Sequence, residues 1–223
     1  MAFSTENPQA ANILKRMLSE YPALNPLRAD LMRAFTALKR CFLTGGTLYL
    51  AGNGGSMSDA LHISGELDKA YKKRRPIPTA HRLRLAAVPG GEELAQCLQV
   101  GLRSLVLGNN PALASAVEND FSQPYLGYAQ ELYALGHAGD VFLAISTSGN
   151  AKNLLYAVQT ARLLNMTTIG LTGESGGLLS AQADIVIRAP AKETPSTQTW
   201  HIHIYHCLCE MVEAQIFSGE DGQ

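Results

Sequence analysis

The apolar run Asp140-Val141-Phe142-Leu143-Ala144-Ile145 leads directly into Ser146-Thr147-Ser148-Gly149-Asn150, and a helical pattern follows at once. This junction restricts the fold more than any other stretch of the chain. The run lacks polar alternation, as expected of a strand buried on both faces of a parallel sheet. Beyond the turn, Leu154, Leu155, Val158, Ala161 and Leu164 recur at helical spacing. Three hydroxyls and a glycine therefore sit on a strand-to-helix turn. The N–H groups that open a helix have no intrahelical partner and carry the positive end of its dipole, so the turn suits a phosphate. A second junction of the same kind lies upstream: strand Thr47–Ala51, glycine-rich loop Gly52-Asn53-Gly54-Gly55-Ser56, then a helix from about Met57.

Five short apolar runs alternate with helical patterns: around Leu48, Leu83–Val88, Val141–Ile145, Thr167–Leu171 and Ile185–Ile187. That order implies an α/β three-layer sandwich, a five-stranded parallel sheet with helices on both faces. Ligands on such sheets bind at the carboxyl ends of the strands, where both small-residue turns fall. Ahead of the sheet, Pro8 to Phe42 reads as helical, broken near Tyr21-Pro22 and restarted at Asn25-Pro26, with Asn25 as cap. Leu27, Leu31, Ala34, Phe35, Leu38 and Phe42 make an apolar stripe there. The long stretch Pro89–Asn119 holds a helical piece over about Glu92–Leu105, and the last helix runs from about Ser196 to Phe217. The expected division is an N-terminal helical segment over 1–45, one α/β domain over 46–217 and a tail over 218–223.

A formal net charge of −1 provides no global basic field for nucleic acid. The run Lys72-Lys73-Arg74-Arg75 reads as a solvated helix end. Cys41, Cys97, Cys207 and Cys209 lack a C-x-x-C spacing, which points to reduced core thiols in a cytoplasmic protein. Met1–Pro8 has no signal-peptide pattern and no apolar run reaches membrane-spanning length, so neither a membrane nor a nucleic-acid partner is expected.

The chemistry-bearing side chains gather elsewhere. His62 and Glu66 lie four apart, on one face of the helix that follows the first loop, where they can share a proton or a metal. An i,i+4 surface ion pair accounts for the same spacing. The last helix adds Gln198, His201, His203 and His206 to an otherwise apolar pattern. Gln198 and His206 are separated by about 80° around that helix and can face one pocket. His203 with His206 is a rival pair, while His201 and His203 also read as surface or interface residues.

Taken together, Gly52–Ser56 with Asp59, His62 and Glu66, Asn119-Asp120, Ser146–Asn150, Leu171-Thr172-Gly173 with Gly176-Gly177, and Gln198 with His206 resemble the SIS (sugar isomerase) domain. Within it they are most similar to the phosphoheptose isomerases, over roughly residues 10–217. The resemblance implies a flavodoxin-like sheet and an aldose–ketose isomerase that converts sedoheptulose 7-phosphate to D-glycero-D-manno-heptose 7-phosphate through a cis-enediol. It implies Glu66 as general base and His206 as the acid that moves a proton between the sugar oxygens. Asn53, Gly54, Gly55, Ser56, Asp120, Ser146, Thr147, Ser148, Asn150 and Gln198 would bind the substrate. Zinc would sit on His62, Glu66, Gln198 and His206, and the molecule would be a homotetramer. Glu66 together with His206 separates this reading from the non-catalytic alternatives, a sugar-phosphate-binding or replication-initiation regulatory module. Three features depart from the family pattern: Ala151 where a further serine is usual, Thr194-Pro195-Ser196-Thr197 before Gln198, and a longer Pro89–Pro111 region.

Overall fold

The computed structural model describes residues 8–218. Helix α1 (Pro8–Glu20), a 3-10 turn (Pro22–Leu27) and α2 (Arg28–Leu43) precede β1 (Leu48–Gly52) and α3 (Gly55–Asp68). Next come α4 (Thr79–Ala86), α5 (Glu92–Cys97), β2 (Ser104–Val106), α6 (Pro111–Asp120) and α7 (Gly127–Leu135). The chain closes with β3 (Val141–Ser146), α8 (Lys152–Leu163), β4 (Thr167–Thr172), α9 (Leu179–Gln182), β5 (Ile185–Arg188) and α10 (Thr194–Ile216). All strand pairs are parallel in the order β2-β1-β3-β4-β5, the flavodoxin-like order. The expected five-stranded parallel sandwich is what forms.

Strand periodicity divides the core between two faces. Leu48, Leu50, Val141, Leu143 and Ile145 point to the face covered by α1, α2, α3 and α10. Tyr49, Ala51, Phe142 and Ala144 meet α7, α8 and α9 on the other. The α2 stripe packs as expected, Leu31, Ala34, Phe35 and Leu38 being buried. Helix α2 itself starts two residues later than the Asn25-Pro26 signal: Asn25 lies inside the 3-10 turn and donates to Pro22 O and Leu18 O instead of capping.

The strand expected over Leu83–Val88 does not exist. Those residues belong to α4 and the turn after it, with Leu83 and Val88 exposed, and the second strand is the three-residue Ser104–Val106. Alternation in His81-Arg82-Leu83-Arg84-Leu85 imitates a half-buried strand, but α4 has no buried residue and packs on α5 outside the sheet. The helical piece expected over Glu92–Leu105 ends at Cys97, because the chain then turns into the Pro76–Gln99 bridge and the β2 edge. Arg75 also departs from the solvated reading of its basic run: it is 2 % exposed. Cys41, Cys207 and Cys209 are buried free thiols with burial raising each to about 12, whereas Cys97 is exposed. Among the described residues no helix is long and apolar enough to cross a membrane.

Candidate active site

Strands β1 and β3 are neighbours, with Gly52 opposite Ile145, so their two carboxyl-end turns lie side by side. At the first, only glycine fits position 52: an added Cβ would meet the Ser56 carbonyl oxygen at 2.4 Å. The loop then bends through Gly54 at φ 55° and opens α3 at Gly55, leaving Ser56 buried in its first turn. At the second, Ser146 Oγ accepts from the Gly149 N–H and Ser148 Oγ from the Asn150 N–H, each at 3.2 Å. Thr147 Oγ1 lies 3.3 Å from Thr194 Oγ1. Asn150 Oδ1, the side-chain amide oxygen, accepts from the Leu178 N–H at 2.9 Å, tying the turn to the loop before α9. Asn53 and Asn153 join their side-chain amides across the two turns.

Helix α10 returns from the far end of the sequence and lays the Gln198 amide against Gly55, where a Cβ would come within 2.3 Å of Nε2. Two turns further along, His206 reaches His62. The His62 Nε2 atom is 3.2 Å from Glu66 Oε1 and 3.3 Å from His206 Nε2. One donor atom from each of His62, Glu66 and His206 lies within 4.8 Å of the others. Two imidazoles and a carboxylate converging on one point form a donor set that suits zinc. The Tyr71 ring stacks on His206 at 5.6 Å. Burial first, then the neighbouring His62, pushes the His206 pKa below its ordinary value, so its imidazole is neutral at physiological pH.

Behind His62, the Tyr205 hydroxyl lies 2.9 Å from Nδ1 and 3.5 Å from the buried Asp59 Oδ1. Burial raises the Asp59 pKa while the Tyr205 hydrogen bond opposes that rise. Tyr205 and Tyr71 are the members that sequence reasoning passed over. A buried tyrosine hydroxyl needs a partner, and that requirement was the available signal at Tyr205.

The remaining histidines separate. His201 is fully buried, not a surface residue, with Nε2 3.2 Å from the Thr172 carbonyl oxygen. His203 stacks on Tyr21 at 4.2 Å, away from the Glu66 cluster's hydrogen bonds. Asp120 is exposed at the end of α6 and accepts from the Asn119 amide.

A parallel sheet with a glycine-rich and a hydroxyl-rich turn beside a His/Glu/His cluster fits an α/β sugar-phosphate class, and the SIS domain family model matches residues 83–173. That match takes in the β3 turn but none of the cluster. Longer similarities reach further: a phosphoheptose isomerase of Halorhodospira halophila is 32% identical over 203 residues, 90% of each chain. Another, of Methylibium petroleiphilum, is 32% identical over 96% of this chain and 89% of its own, a span that takes in α3 and α10. The solved structure of a phosphoheptose isomerase from Neisseria gonorrhoeae aligns with TM-score 0.69 and 27% identity, covering 92% of this chain and 96% of its own. The chain belongs to the phosphoheptose isomerase family.

Proposed function

We propose that this protein interconverts sedoheptulose 7-phosphate and D-glycero-D-manno-heptose 7-phosphate, supplying heptose for a surface glycan or related heptoside. The observation that carries the reading is the convergence of Glu66 and His206 on His62, one turn beyond a phosphate-binding loop. Ser56, Ser146, Thr147 and Ser148, with the N–H groups of the two turns, hold the phosphate, while Asn53, Gly54, Gly55, Asn150, Gln198 and Asp120 complete the substrate site. Glu66 takes a proton from C1, and the neutral His206 accepts the O1 proton and, once protonated, delivers it to O2, giving the cis-enediolate with its charge on O1. Glu66 then returns its proton to C2 as the O1 charge collapses to the C1 aldehyde, leaving both Glu66 and His206 in their starting states. A neutral imidazole at this position both accepts and, once protonated, donates.

His62, Glu66 and His206, with Gln198, would hold zinc, which supplies Lewis-acid polarisation of the sugar oxygens when bound. The family also implies a cytoplasmic homotetramer. A non-catalytic sugar-phosphate sensor needs the turns but has no use for the Glu66–His206 pair.

The test is turnover of sedoheptulose 7-phosphate followed by NMR. Glu66→Gln and His206→Ala are each expected to lower kcat by about 10²–10⁴-fold, the usual scale for losing a general acid or base. Absence of wild-type turnover would sink the isomerase reading; full activity in either variant would sink the residue roles. Metal content and chelation test zinc separately, and an unchanged rate in zinc-free protein would remove it.

A further inference from the structure

The imidazole at the centre of the cluster has two nitrogens in different surroundings. Nε2 of His62 faces Glu66 and His206, and Nδ1 faces only Tyr205. A histidine that is to offer Nε2 as an electron-pair donor must carry its proton on Nδ1, and whatever accepts that proton fixes the tautomer. Here the acceptor is a phenol, and the phenol has its own acceptor behind it.

Tyr205 is 2 % exposed and Asp59 is 8 % exposed. Asp59 stands three residues before His62 on α3, while Tyr205 stands immediately before His206 on α10. One pair of helices therefore supplies the cluster and its backing together. Asp59 Oδ2 is buried without a hydrogen-bond partner, which leaves Tyr205 as the hydroxyl placed to donate to this carboxylate. A buried carboxylate short of donors draws the phenol proton toward itself. The phenol oxygen is then free to accept from His62 Nδ1–H at 2.9 Å.

We infer that Tyr205, backed by Asp59, is a positioning residue that holds His62 in its Nδ1–H tautomer and aims the Nε2 lone pair into the cluster for a divalent cation. The hydrogen bonds run one way, from His62 Nδ1–H to the Tyr205 oxygen and from the Tyr205 hydroxyl to Asp59. Without the phenol, Nδ1–H has no acceptor, and the Glu66 carboxylate 3.2 Å from Nε2 is the one left to take the imidazole proton. The proton then moves to Nε2, where it points at Glu66 and blocks the cation. This inference rests on the metal reading of the same site, and its tautomer half stands apart from turnover.

The experiment uses full-length metal-free protein labelled with ¹⁵N-histidine, in wild type, Tyr205→Phe and Asp59→Asn, with long-range ¹H–¹⁵N spectra reporting the His62 tautomer. Zinc affinity is measured on the same samples by competition with a chromophoric chelator. Wild type is expected as the Nδ1–H tautomer and Tyr205→Phe as Nε2–H, with zinc bound about 10–100-fold more weakly, the scale for losing such a backing partner. Asp59→Asn, which keeps the shape and removes the charge, is expected to shift both readouts in the same direction. A wild-type His62 already protonated at Nε2, or an unchanged tautomer in both variants, would overturn the inference. Zinc affinity that stays within twofold of wild type in both variants would overturn it as well. Failure of wild type to bind zinc would overturn the metal reading, with the tautomer result still read independently.

Discussion

Single residues set the shape of the second turn, where the phosphate is proposed to bind. Gly149 is at φ 68°, and a Cβ there would meet the Gly176 carbonyl oxygen at 2.1 Å. Backbone of the 176–177 loop thus packs directly on the turn, which no side chain at 149 allows. Gly149→Ala is expected to destabilise the protein by about 1–3 kcal/mol, the scale of forced left-handed strain, and to raise KM for the sugar phosphate more than it lowers kcat. Urea denaturation and steady-state kinetics check the two halves. Ala151 is the opposite case, a position with something missing. It is the N-cap of α8, with extended backbone and no side-chain hydrogen bond to the helix. Ala151→Ser adds both a cap and a hydroxyl at the turn. We expect a gain of about 0.5–2 kcal/mol in stability, the range for restoring an N-cap, together with a lower KM. A variant with unchanged KM and unchanged denaturation midpoint would show that the alanine carries no deficit.

Among the elements, α3 is held where Glu66 needs it by a buried ion pair. Arg75 Nε and Nη2 both lie 2.8 Å from Glu213 Oε1, and Arg75 Nη1 donates to the Leu67 carbonyl at 2.8 Å. Glu213 also accepts from the N–H groups of Tyr71, Lys72 and Lys73. The pair thereby caps the negative end of α3 and folds the following loop onto α10. Arg75→Met strands the Glu213 charge and is expected to cost about 3–5 kcal/mol by urea denaturation. Adding Glu213→Leu should recover only part of that loss, because the three loop N–H groups lose their acceptor. Long-range partnerships of this kind explain where sequence reading stopped. The turns at Gly52–Ser56 and Ser146–Asn150 were legible because strand, glycine and helix follow one another locally. His62 with Glu66 was legible from helical spacing, and so was His206 as a candidate beside Gln198, but the union of His206 with Glu66 came only through family likeness. Arg75 looked like one more solvated cation, since its partner lies 138 residues away. Leu83–Val88 has the pattern of a strand, and only the absence of a covering layer makes it a helix end.

At the scale of the whole molecule, α10 is the strut on which these parts agree. It touches β4 through His201, α3 through Tyr205 and His206, α1 through Glu210 with Arg16, and the α3 cap through Glu213. Among its fully buried polar residues is His201, whose Nδ1 has no hydrogen-bond partner. Burial lowers this histidine from the ordinary 6.5 to about 4, the Thr172 carbonyl pulling weakly the other way. The unfolded chain therefore takes up a proton near pH 6.5 that the folded protein refuses until about pH 4. Between those values the unfolded state binds more protons, so stability falls as the pH drops through that window. At pH 5 this one group is expected to remove about 2 kcal/mol relative to pH 7. His201→Leu will cost stability at neutral pH by removing the hydrogen bond to the Thr172 carbonyl, which keeps only the Ala189 N–H, but it also deletes the titration. The difference between variant and wild type, measured by urea denaturation, should then narrow by about 2 kcal/mol from pH 7 to pH 5 while the carboxylates common to both cancel. A gap that keeps the same size across that range would mean that His201 takes its proton in the folded state, and that the α10–β4 junction is open to water.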